Sequence, residues 1–184
     1  MANVEGKATA ITVLTPIKRE GPLVLWAVFW AGRHISETLK KLEQLSFIHY
    51  ARWAVIERFP DVDTGGEKLD HEYLLFESNF NGTWDQYIDA FSEVVPFRMK
   101  AIWGTSYGFP GPLPVEPFKE YIRRNEYVAN HYWSAYPGFT TTEIISAAHV
   151  ETALNEFQQH AAELEPEAFK TAYESLLTTI QHDL

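Results

Sequence analysis

Arg52 and Glu77 sit in the middle of two apolar, strand-like stretches, HYARWAVIERF (49–59) and EYLLFESNF (72–80). If those strands pair as a hairpin with residue numbers summing to about 129 or 130, the two side chains lie opposite or diagonal and within reach of each other. An arginine fork in a partly buried site orients carboxylates and carbonyls. An ion pair bridging two strands needs no ligand and gives the same pattern. His49 begins the first strand, while Asn79 and Asn81 end the second. Antiparallel pairing gathers the three at one end of the sheet, where a histidine can serve as base or ligand or simply bond a backbone carbonyl. His131, in NHYWSAY, is flanked by aromatics. One histidine in an aromatic pocket suits a proximal heme ligand, and a packed core with one hydrogen-bonded imidazole reads the same.

Arg52, Glu77 and His49 are therefore the candidate catalytic groups, and Asn79, Asn81, Tyr107, Phe109 and His131 the candidate ligand-binding groups. Tyr107 and Phe109 belong to GTSYGFPGPLPVEP (104–117), with four prolines and three glycines. A loop of that kind is a lid, a subunit arm or a rigid crossover. Strand alternation puts Arg52 with Tyr50 and Ile56, and His49 with Ala51 and Trp53, so one cavity holds both only across a bulge. The expected site lies at the end of the sheet, with Arg52 and Glu77 as floor, Asn79 and Asn81 as rim, and Tyr107 and Phe109 as lid. A small apolar or aromatic ligand fits such a lining.

Other chemistries have less support. The chain has no cysteine, which removes disulfides, thiolate metal sites and a cysteine nucleophile. His149 and His160 share a helix face but stand ~16 Å apart along it, too far for one ion. No P-loop, G-x-G-x-x-G, H-E-x-x-H or G-x-S-x-G stretch occurs. A net charge of −10 over 184 residues repels phosphate backbones, so nucleic acid is not an expected partner. The most apolar run, LVLWAVFWA (23–31), has nine residues, against about 20 for a membrane span. The expected setting is cytoplasmic.

The elements that must position these groups follow from periodicity and breakers. ATAITVLTPI (8–17) reads as a strand and 23–45 as a helix, with Ile35, Leu39, Leu42 and Leu45 at helical steps. Strands at 48–59 and 72–80 flank a polar loop at 60–70. Thr83 with Gln86 and Thr140 with Glu143 are capping-box signatures. Pro117 opens a short helix, 126–136 reads as a fourth strand, and Pro166 starts a last helix. The order β-α-β-β-α-β followed by two helices predicts an α+β fold: a ferredoxin-like antiparallel sheet with helices on one face. The domain would span 1–136, with a helical extension over 137–184.

Over residues 8–136 this order, with HYARW on the second strand and FNGTWDQYI leaving the third, resembles the dimeric α/β-barrel superfamily of ferredoxin-like proteins, in a bacterial branch of it. That resemblance implies small-molecule binding, with heme-handling enzymes, small monooxygenases and proteins without known chemistry all in the superfamily. Heme or oxygen chemistry is thus one expectation, and a non-catalytic oligomeric protein the other. Both sheet faces carry apolar residues, and 15% of the chain is aromatic. A homodimer or higher homo-oligomer, sheet against sheet, would cover the second face; the C-terminal helices are the alternative cover.

Overall fold

The computed structural model describes residues 3–34, 45–59 and 67–184. Two compact units divide the chain, Met1–Gly138 and Phe139–Leu184. The first is an α+β unit built on a four-stranded antiparallel sheet of β1 (Val4–Glu5), β2 (Ala8–Pro16), β3 (Ile48–Phe59) and β4 (Glu67–Asn81), in the order β1-β2-β4-β3. Its described helices are α1 (Gly21–His34), α2 (Trp84–Val94), α3 (Pro96–Trp103) and α4 (Val115–Asn125).

β4 lies between β2 and β3, so the β2-α1-β3 crossover spans a strand that enters the sheet later. Alternation then sorts the side chains. Ile11 and Val13 of β2 and Leu74, Phe76 and Phe80 of β4 turn to one face, where they share a buried core with Leu25, Tyr87, Ile88, Phe91, Trp103, Phe118 and Ile122 from the helices. The Thr83 capping box starts α2 as the sequence predicts, with Gln86 N–H on the threonine hydroxyl. Lys119 of α4 is buried and ties α4 to α2 through Asp89 at 2.8 Å and Asp85 at 3.4 Å. Those contacts, Asp89 foremost, hold its ammonium above the ordinary lysine value.

The expected fourth strand at 126–136 is not one. Glu126 makes a single bridge to Val13, with the Tyr127 N–H on the Thr12 carbonyl, and the backbone is irregular thereafter. The slot beside β2 is taken by β1, which turns into β2 through Gly6 and Lys7. Gly6 has φ +60 at the first central position, where a two-residue hairpin takes glycine. Segment 127–137 is instead held by side chains and single contacts. The Ala129 N–H donates to Asn3 Oδ1, Ser134 N–H to the Glu5 carboxylate, and Lys7 N–H to the Pro137 carbonyl. Aromatic, β-prone residues lose the ladder here because the N-terminal hairpin already occupies the edge.

β4 also starts earlier than predicted, at Glu67, so 67–70 belong to strand rather than loop. α1 accounts for the first part of the 23–45 helix; Ile35, Leu39 and Leu42 lie outside the described residues. The second unit is a helical hairpin of α5 (Thr141–Ala161), opened by the predicted Thr140–Glu143 capping box, and α6 (Pro166–Ile180). Phe157 packs against Phe169 and Tyr173 between them, with ring centroids 5.4 and 6.0 Å apart. No described helix is long and apolar enough to cross a membrane.

Candidate functional site

Arg52 and Glu77 are direct cross-strand partners and form an ion pair. They occupy the middle of the sheet's second face, on a rung that runs Thr12, Glu77, Arg52. The rungs beside it are Ala10–Asn79–Tyr50 and Leu14–Leu75–Ala54. The pair is not buried: the Arg52 side chain is 62% exposed and that of Glu77 25%. An exposed pair of this kind is a surface bridge rather than the floor of a closed pocket.

His49 occupies a bulge. The partner moves from Phe80 at Ile48 to Asn79 at Tyr50, leaving His49 as the extra residue. Its Nε2 is sealed from solvent. Burial pushes its pKa below 6.5, and the neighbouring Asn81 side chain partly offsets this. Asn81 Nδ2 donates to the Lys7 carbonyl. Burial raises the Tyr50 phenol, Glu77 adds to the shift, and Arg52 opposes it. Tyr132 reaches the same end of the sheet, where burial and then the nearby Tyr50 and Glu5 raise its phenol. His49, Tyr50, Arg52, Glu77, Asn79 and Asn81 thus gather as the strand directions require.

The lid does not join them. The Tyr107 N–H bonds to the Pro16 carbonyl and Ser106 bridges Ile17, which pins the start of loop 104–114 to the opposite end of β2. The Ala10 and Pro16 rungs are six residues apart, ~20 Å at strand rise. Phe109 is no lid either: it packs edge-on against Phe118 and Tyr121, both at 5.8 Å. His131 is exposed on the irregular segment that replaces the fourth strand. No aromatic pocket encloses it, because the strand that would have turned it inward does not form.

A cleft exists at the other end, where Tyr107 is. Between Ile56 and Arg58 the β4 partner jumps from Tyr73 to Lys68, so Leu69–Glu72 bulge out against Glu57 alone. The Ile17 N–H holds the bulge by bonding the Glu72 carbonyl. The space between the bulge, Ile17–Arg19 and Tyr107 is about 440 Å³. Lys18, Arg19 and Lys68 line it against Asp70 and Glu72, a balance of +1 in a chain of net charge −10. His71 and Tyr107 stand ring to ring on its wall, centroids 5.9 Å apart. Lys18 Nζ donates to the Gly104 carbonyl at 3.0 Å, fixing one cation at the mouth.

Three cations with two adjacent rings can bind a carboxylate attached to a flat apolar body. Of these residues the sequence singles out Tyr107 alone, as a lid over the Arg52 end of the sheet; the others carry no signal. KREG looks like a turn and EKLDH like the tail of a loop, and a four-residue bulge leaves no mark in period-two alternation. Among the described residues no cluster of three or more His, Asp or Glu side chains could hold a metal ion. Comparison with family models, with curated proteins and with solved structures finds no match to this chain.

Proposed function

We propose that the chain is a small-molecule-binding protein whose ligand is a small aromatic carboxylate, held in the cleft beside the β4 bulge. The observation that carries this reading is the convergence of Lys18, Arg19, Lys68, His71 and Tyr107 on one cleft of about 440 Å³. The volume is that of a small-ligand site, and the lining sets Ile17, Leu69 and the Tyr107 ring among convergent charged groups. A ferredoxin-like sheet is part of the proposal. In support, β4 lies between two strands joined by a helical crossover, as in a ferredoxin-like sheet, with the Val4–Glu5 hairpin in place of a last strand.

Heme chemistry fits the residues poorly. His131 is exposed, and the Nε2 of His49 is sealed from solvent. The binding reading therefore stands without a redox step. A second reading, a non-catalytic interaction protein, is favoured by the exposed apolar side of α1.

Thermal-shift and NMR titrations with benzoate-class carboxylates test the proposal, on the parent chain and on Lys68→Met with Arg19→Met. Both cations are at the surface, so the double variant keeps its fold. The expected result is saturable binding weakened at least ~10-fold in the variant, the loss of charge-assisted contacts. Equal binding by both proteins, or none by the parent, overturns it.

A further inference from the structure

α1 is apolar on every side. Between Gly21 and Gly32 it has no charged residue; Arg33 and His34 end it. Leu25 and Gly21 face the core, and α3 packs alongside. The outward side runs Leu23, Trp26, Ala27, Trp30, at helical spacing, and continues to Arg33. Leu23 is 77% exposed, Trp26 68% and Trp30 51%, with Phe97 of α3 at 87%. A helix hydrophobic all round belongs in a protein interior.

We infer that this side of α1 is the seat of a second copy of the chain, paired antiparallel about a two-fold axis near the middle of the stripe. Three observations favour that occupant. At about 150–250 Å² per aromatic side chain, the four exposed residues present on the order of 600 Å² of apolar surface. A standard interface takes about 800 Å² per partner, and Val24, Ala27 and the helix ends supply the rest.

The stripe is also self-complementary. Antiparallel pairing brings Leu23 of one copy to Trp30 of the other, and sets Trp26 near the small Ala27 on both sides of the axis. The same pairing brings the exposed Arg33 at the end of α1 to the exposed Glu20 before its start, twice. A lipid surface is the poorer fit, since interfacial helices carry a Lys/Arg-rich polar side and α1 has none. The sheet's second face, with an exposed ion pair at its centre, offers a copy less apolar surface than α1 does.

Sedimentation equilibrium of the full chain at micromolar concentration decides it. The parent should be a dimer, and Trp26→Arg should raise the dissociation constant by about 30-fold or more, the loss of one central aromatic anchor, with the circular dichroism unchanged. Arg33→Glu should weaken the dimer and Glu20→Arg in the same chain restore it, a rescue that a misfolded variant cannot give. A monomeric parent, a dimer indifferent to Trp26→Arg, absence of the rescue, or a monomer that binds phosphatidylcholine vesicles would each overturn the inference.

Discussion

Removing Arg52 measures how open the second face of the sheet is. At contact distance two charges attract by about 1 kcal/mol in water. The Arg52 side chain is 62% exposed, so its guanidinium remains solvated when Glu77 is lost. Holding both side chains in one geometry takes back part of the attraction, leaving roughly 0.2–1 kcal/mol for the pair. In a chain of 184 residues that is a fall in Tm of about 4 °C at most. Urea unfolding of the parent, Arg52→Ala, Glu77→Gln and the double variant gives the coupling energy directly, and high salt should shrink it further. A coupling of about 3–5 kcal/mol, the cost of stranding a buried charge, would show that another surface covers this rung and would refute the reasoning.

Gly6→Ala should cost about 1–3 kcal/mol, because Gly6 has φ +60 and an added Cβ would sit 1.9 Å from the Pro137 carbonyl oxygen; a melt like the parent's would mean the hairpin relaxes freely. His49 is held neutral by burial, so the unfolded chain takes up its proton first as pH falls below 6.5. Stability should then drop from pH 7 towards 5, less so in His49→Gln, and an equal drop in both would clear His49. Burial raises the Glu126 carboxyl above 4.5, against the Trp84 N–H that donates to it and the Arg123 charge. A raised carboxyl favours the fold below that pH and loses its advantage above it. Glu126→Gln, which keeps an acceptor for Trp84, should therefore match or exceed the parent at pH 7 by up to ~1 kcal/mol, and converge with it near pH 4. Clear destabilisation at pH 7 would show that attraction to Arg123 dominates.

Where local chemistry decides the outcome, the sequence was legible. Thr83 and Thr140 cap helices because their partners lie three residues on, and Arg52 meets Glu77 because two alternating strands leave few registers. The fourth strand misled because propensity is local while edge occupancy is not. Tyr127 to Tyr136 read as strand, yet the first residues of the chain reach β2 and fill that edge. A separate long-range contact displaced the expected lid: Tyr107 follows the Ser106 bridge to Ile17, which no spacing in 104–117 reveals. The cleft at Lys68–Glu72 was hidden for another reason. A bulge is a mismatch between two strands, and neither strand's own pattern records it.

The central claim, that a small carboxylate enters the cleft beside the bulge, is tested most directly at one imidazole. NMR of the histidine ring protons during titration with benzoate-class ligands, with His71→Asn to assign the resonance, should show His71 shifting saturably while His49 and His131 stay still. Movement of the His49 resonance with His71 unchanged would place the ligand at the other end of the sheet and contradict the account.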